Sequence, residues 1–259
     1  MRKPSLLIIA ASSSDGCAGM QMDIQAAAKF GVNPACAITA ITAQNTTGVQ
    51  GVWPVPAKAV KAQIDSAFSD LDVCAVKIGM LFSSEIAKEV AKSLANWGAL
   101  NVVFDPVMSA QSDRKRLAEK NAKGAFRSVC AVSDLVTPNL DEARELSGIA
   151  VRGRESACRA AWRIMETGAQ SVLLKSYPWG KGVLADLLLT DDGLGIFKKK
   201  KLPTSTHGGG CLLSSAIAAR MALGDSLVDA LSAAETCIEK AISESAQAGC
   251  GIRCANPAR

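Results

Sequence analysis

Short apolar runs alternate with stretches of helical period along the whole of this 259-residue chain, and that alternation most limits what it can fold into. Residues 6–10, 37–41, 73–78, 101–105, 134–136 and 171–175 read as strands, most of them nearly continuously apolar, as strands covered on both faces are. Helices are expected between them at about 19–30, across Val60, Ile64 and Phe68, across Ile86, Val90, Leu94 and Trp97, and at about 116–131, 142–146 and 155–167. Residues 183–189 and 194–200 read as a hairpin around Thr190-Asp191-Asp192-Gly193, and helices at about 210–222 and 225–247 follow. Strands alternating with helices over short connections predict an α/β fold, a central, mostly parallel sheet with helices on both faces. No repeat, linker or composition break interrupts the pattern, so one domain over 1–259 is expected.

Composition removes several function classes. A formal net charge of +5 suits anionic metabolites and is too weak for a nucleic-acid binder. No apolar run approaches the roughly 20 residues of a membrane span, so no membrane partner is expected. The basic start and apolar residues 6–10 raise the question of a signal peptide, but the segment is short and runs directly into Ser12, Ser13, Ser14 and Asp15, which favours a first buried strand. Nine cysteines are scattered without a C-x-x-C, and there is one histidine, which leaves no zinc set. Their odd number in a large chain predicts reduced, mostly buried thiols in a cytoplasmic protein. Cys250 and Cys254, the only close pair, receive no role, and the lysine run 198–201 reads as a solvated sheet edge.

In parallel sheets ligands gather at the carboxyl ends of the strands, and polar residues recur there: 12–16, Gln44-Asn45, Gly79-Met80, Asp105, Asn139 with Glu142, and Lys175. Thr206-His207-Gly208-Gly209-Gly210-Cys211 then opens an apolar helical run. Glycines admit an anion close to the backbone, and the helix start offers unpaired N–H groups and the positive end of its dipole. Cys211 stands at that start, where a thiol's pKa is lowered. On spacing alone the stretch fits a packed, glycine-rich helix entry equally well; the polar strand ends turn the reading towards a phosphate site. A Walker A loop and a G-x-G-x-x-G after the first strand are both absent.

Ala18-Gly19-Met20-Gln21-Met22-Asp23, Thr42-Ala43-Gln44-Asn45-Thr46, Lys77-Ile78-Gly79-Met80-Leu81, Asp105-Pro106-Val107-Met108, Thr137-Pro138-Asn139-Leu140-Asp141-Glu142-Ala143, the glycine-rich turn and the tail 249–257 occur in the order of a known family. Together they resemble the hydroxymethylpyrimidine/phosphomethylpyrimidine kinases of thiamine biosynthesis, of the ribokinase-like superfamily. The resemblance implies a kinase using ATP and Mg²⁺ on a small pyrimidine, usually as a homodimer. It implies that Gly208, Gly209 and Gly210 hold the transferring phosphoryl group, that Cys211 assists deprotonation of the substrate hydroxyl, and that Lys175 reaches a phosphate. Gln44, whose carboxamide matches an aminopyrimidine's ring nitrogen and amino group, would bind substrate with Met80, Val107, Ala11, Ala18 and Asp23. Asp105, Asn139 and His207 would lie on the ATP and phosphate side, and Glu142 would organise Mg²⁺ through water.

The chain also departs from the family's opening, Ala-Gly-[ST]-Asp-x-[ST]-Gly-Gly-Ala-Gly-Ile-Gln-Ala-Asp. Ala11 replaces a glycine, Ser13 the aspartate, Cys17 a glycine and Met22 an alanine; Lys-Gly-Gly-His becomes Lys175-Ser176-Tyr177-Pro178. In the glycine-rich turn, Gly209 and Leu212 stand where hydroxyl or small residues are common. Two alternatives stay open: a pyridoxal kinase of the same fold, against which Gln44-Asn45 argues, and a pyrimidine-binding protein without turnover.

Overall fold

The computed structural model describes residues 2–110, 112–119, 122–200 and 206–257, apart from the side chain of Lys123. In chain order its elements are β1 (Ser5–Ser13), α1 (Gly19–Lys29), β2 (Asn33–Asn45), β3 (Gly48–Pro54), α2 (Ala57–Asp70), β4 (Val73–Ile78), α3 (Ser84–Trp97) and β5 (Val102–Phe104). There follow α4 (Lys123–Cys130), β6 (Leu135–Val136), α5 (Leu140–Ser147), α6 (Arg154–Met165), β7 (Val172–Gly180), β8 (Val183–Thr190), β9 (Gly193–Lys200), β10 (Thr206–His207), α7 (Gly209–Ala222), α8 (Leu227–Ser243) and β11 (Arg253–Cys254).

Nine strands form one sheet in the order β3-β2-β1-β4-β5-β6-β7-β8-β9. The run from β2 to β7 is parallel, and antiparallel strands extend it at both ends, β3 at one and β8 and β9 at the other. Alternation along β1 supplies both faces. Leu7 and Ile9 enter a core built with α2 through α6, while Leu6 and Ile8 enter a second one with α1, α7 and α8. Leu6, Leu7, Ile8 and Ile9 are all fully buried, which is why the middle of the strand is continuously apolar rather than apolar at alternate positions.

The α/β expectation holds, and the differences are local. The polar segment expected as a loop after the second strand is the tip of a hairpin, with Gln44 and Asn45 still inside β2 and β3 returning against it. The helix expected at about 116–131 is shorter, because Asp113 is committed elsewhere. Its carboxylate accepts hydrogen bonds from Val49 N and Lys115 N (both 3.0 Å), which ties residues 112–116 to the hairpin. The lysine run is partly engaged: Lys199 pairs with the fully buried Asp186 at 2.6 Å and Lys198 lies over Trp179, while Lys201 falls outside the described residues.

The thiol expectation is corrected. Cys17 and Cys254 are joined by a disulfide, with Cα atoms 5.4 Å apart across 237 residues of sequence. The bond follows from β10 pairing with β11, with His207 opposite Cys254, which lays the tail against the glycine-rich turn and beside the loop after β1. The other cysteines are free, and only Cys130 and Cys237 are buried. Among the described residues no helix is long and apolar enough to cross a membrane.

Candidate active site

The glycine-rich turn is built for close approach. Gly208, the N-cap of α7, has φ +85°, and a Cβ on it would stand 2.1 Å from the Cys17 carbonyl oxygen. Only glycine fits there. Gly210 is different: a Cβ there would lie 3.6 Å from Lys175 Nζ and 3.9 Å from Asp105 Oδ2. The turn, the end of β5 and the end of the parallel part of β7 therefore converge on one point, with first-turn amides of α7 beside a lysine and a carboxylate.

Asp105 is the hub. Its Oδ1 accepts hydrogen bonds from Lys175 Nζ (2.7 Å) and Thr137 Oγ1 (3.2 Å), and Ser214 Oγ donates to Oδ2 (3.4 Å). Burial works against its charge, but Lys175 and Lys77 more than offset that and hold the carboxyl below its ordinary value. Glu142 sits in the first turn of α5, where Asn139 caps the helix and the Asn139 N–H donates back to Glu142 Oε2 (2.8 Å). This reciprocal capping explains the spacing of the Asn139–Glu142 pair. Burial pushes the Glu142 carboxyl up to about 8, and the Asp105 charge adds to it against the pull of Lys175.

Cys211 departs from the simple helix-start argument. Burial raises its thiol to about 11; Asp23 and Asp105 add to the shift, while Lys77 and the Gly19 amide oppose it. Cys211 is partly exposed, yet the protein packed around its thiol outweighs the pull of the helix start.

On the other side of the loop after β1, Ala11 and Met80 pack with Ala40, Val49, Ala110 and Leu117, and Val107 borders them. These are the expected apolar walls, and Thr39 fixes Met80 by donating to its carbonyl (2.6 Å). Gln44 lies at their edge, 7% exposed. Its backbone exchanges hydrogen bonds with the Ser14 hydroxyl (2.8 and 2.7 Å). Ala18 is the N-cap of α1, next to this loop.

Two expected placements change. Asp23 is fully buried, paired with Lys77 (2.7 Å) and accepting a hydrogen bond from Ser215 (2.7 Å). It supports the floor of the site and cannot touch a substrate there. His207 is bonded to Gln44 (2.7 Å) and lies 3.3 Å from Asp15, beside the loop after β1 rather than with Asp105 and Asn139. Sequence reasoning gave no role to Lys77, Thr137, Ser214, Ser215 or Asp15. The signal for Ser214 and Ser215 was present, since they lie three and four residues beyond Cys211 on the same helix.

Such a centre brings together the amides and cations over which phosphoryl transfer spreads charge; on this sheet it is the arrangement of a small-molecule kinase of the ribokinase-like class. A family model described as phosphomethylpyrimidine kinase matches residues 13–256. The chain is 43% identical over 239 residues to the hydroxymethylpyrimidine/phosphomethylpyrimidine kinase of Rhizobium meliloti (strain 1021), covering 92% of this chain and 90% of that protein. The crystal structure of phosphomethylpyrimidine kinase from Clostridium difficile 630 superposes with a TM-score of 0.82 at 33% identity, over 93% of this chain and all of that one (100%). The ADP complex of Bacillus subtilis pyridoxal kinase gives 0.88 at 28% identity, over 98% and 97% of the two chains. The chain belongs to the phosphomethylpyrimidine kinase family.

Proposed function

We propose that the protein uses ATP to phosphorylate 4-amino-5-hydroxymethyl-2-methylpyrimidine and then its monophosphate, the two kinase steps of thiamine biosynthesis, in one domain over residues 1–259. Family membership supports the reaction, and the observation that carries the site is the approach of the Gly210 backbone to Lys175 Nζ and Asp105 Oδ2. In this reading the amides of Gly208, Gly209 and Gly210 stabilise the transferring phosphoryl group as an oxyanion hole does. Lys175 exchanges its Asp105 partner for a phosphate oxygen. Gln44 pairs with the aminopyrimidine edge between Ala11, Met80 and Val107, with Ala18 bordering the same loop. Cys211 assists removal of the hydroxyl proton as a thiolate; with a thiol near 11 it is protonated in the empty site, so it acts as base only in molecules whose thiol has first lost its proton to water.

The described residues contain no group of three metal-ligating side chains, while Glu142 and Asp105 offer hard oxygens next to Lys175. That donor set fits Mg²⁺ held largely through water, with Glu142 and the exposed Asn139 on its side; when bound, the ion supplies charge neutralisation for the phosphates. Homodimer formation belongs to this reading, with the cross-strand neighbours Ile41 and Trp53, 53% and 58% exposed, contributing apolar surface. So does a cytoplasmic setting.

The test is ATP turnover with the hydroxymethylpyrimidine, its monophosphate and pyridoxal side by side. Turnover of both pyrimidines, falling about 10²- to 10⁴-fold in Cys211→Ala, is expected. A preference for pyridoxal, whose kinase shares the fold, would remove the substrate role of Gln44. Binding of pyrimidine without turnover would leave a binding protein.

A further inference from the structure

His207 is the only histidine of the chain, and its ring is 3% exposed. The Gln44 amide nitrogen is placed 2.7 Å from Nε2, an assignment interchangeable with the amide oxygen, and Asp15 Oδ2 stands 3.3 Å from the same ring nitrogen. Nδ1 is buried without a hydrogen-bond partner, and so is Asp15 Oδ2. These facts select among the forms of the ring. A hydrogen on Nδ1 would be a buried orphan N–H, the rarer defect in folded proteins. If it were the ring's only hydrogen, the Nε2 lone pair would also face the carboxylate. A hydrogen on Nε2 alone removes both problems and gives Asp15 Oδ2 an electrostatic partner, leaving a bare acceptor at Nδ1.

The consequence falls on Gln44. An N–H at Nε2 has to meet an acceptor at 2.7 Å, so the amide atom facing the ring is the oxygen, which half a turn about the last side-chain bond provides. The oxygen retains a second lone pair, and the amide nitrogen then stands on the far side. Reversing the ring's hydrogen reverses the order of donor and acceptor along the free edge of Gln44.

Asp15 itself is firmly placed. Its Oδ1 accepts hydrogen bonds from Ser13 Oγ (2.7 Å) and from Cys17 N (3.0 Å). The His207 ring beside it and those two bonds outweigh burial and hold its carboxyl below the ordinary value. The disulfide joins Cys17, two residues on, to Cys254, which pairs with His207 across β10 and β11. One covalent link therefore fixes both the loop that carries Asp15 and the strand that carries His207. The family opening quoted above has aspartate at position 13 and a hydroxyl residue at 15; here Ser13 and Asp15 exchange those types.

We propose that Asp15 is a specificity-determining positioning residue: by holding the hydrogen of His207 on Nε2 it fixes the Gln44 carboxamide and the donor–acceptor order shown to the aminopyrimidine. The specificity half of this rests on Gln44 reading the pyrimidine, as proposed above; the tautomer half does not. With histidine labelled by ¹⁵N, the single ring gives one pair of nitrogen signals, whose long-range proton correlations identify the tautomer. The wild-type protein should show Nε2–H. Asp15→Asn, whose amide can donate to a bare Nε2, should move the ring towards Nδ1–H. In turnover, the same variant should lose about ten-fold of its discrimination between the 4-amino substrate and the 4-oxo analogue, in which donor and acceptor are exchanged. The loss should appear in KM for the pyrimidine, with KM for ATP unmoved; a merely structural defect would weaken both pyrimidines alike. Wild-type protein with Nδ1–H overturns the proposal and requires no variant to fold. So does Asp15→Asn with unchanged tautomer or unchanged discrimination. Wild-type protein that turns over neither pyrimidine removes the functional reading, and the nitrogen spectra then still decide whether Asp15 sets the tautomer.

Discussion

Glu142 has its carboxyl where water does not reach, 6% exposed, in the first turn of α5 and beside Lys175 and Asp105. An unfolded chain ionises the same group near 4.5, whereas burial moves it to about 8 in the fold. Between those values the folded state holds a proton that the unfolded state has lost, so this group's contribution to stability is present at low pH and disappears as pH rises through about 8. Glu142→Gln should flatten that slope: between pH 5.5 and 8.5 the urea midpoint of the wild-type protein should fall further than that of the variant. Equal falls would mean that Glu142 is already ionised in the fold. At this scale the sequence revealed the residue types and little of their state. Lys175, Cys211 and Gln44 were legible because they stand at strand ends or a helix start within recognisable motifs. That Asp23 is a floor residue was not, because its partners Lys77 and Ser215 lie 54 and 192 residues away. His207 was misplaced for the same reason, since the glycine-rich turn alone does not say which neighbouring loop the ring leans on.

The strands and helices were largely visible from their periods, and the misses have physical causes. β3, β10 and β11 lack an apolar run long enough to announce a strand, and the tail gains its backbone partners only from a distant segment, as Arg253 does from Thr206. The strand β7 has a local cost where the family pattern has glycine: Ser176 sits at φ 57°, a left-handed conformation that disfavours a Cβ. The fold holds it because Ser176 N donates to the buried Asp186 (2.6 Å), which Lys199 in turn neutralises. Ser176→Gly should relieve the strain and retain the backbone bond. Against the greater freedom of glycine in the unfolded chain, the net gain should be about 0.5–1 kcal/mol. A denaturant midpoint at or below that of the parent protein would show that the serine side chain supplies a compensating contact.

For the molecule as a whole, the mostly parallel sheet followed from the alternation, while its edge strand β3 and the disulfide did not. Composition argued for reduced thiols, and only the pairing of β10 with β11 brings Cys254 to Cys17. Its reduction, or Cys254→Ala, should lower stability by about 2–4 kcal/mol, read as a lower urea midpoint with reductant present; an unchanged midpoint would mean that the bond does not form in solution. The bond also alters how the chain answers a pull. Tension applied outside Cys17 and Cys254 runs from one sulfur to the other, and the stretch between them, a sequence separation of 237, which could otherwise lengthen by up to about 3.3–3.6 Å per residue, carries none of it. An unfoldase drawing on either end would meet a closed covalent loop and have to pass two strands of chain at once, so extraction of the oxidised protein would stall where that of the reduced protein would run on.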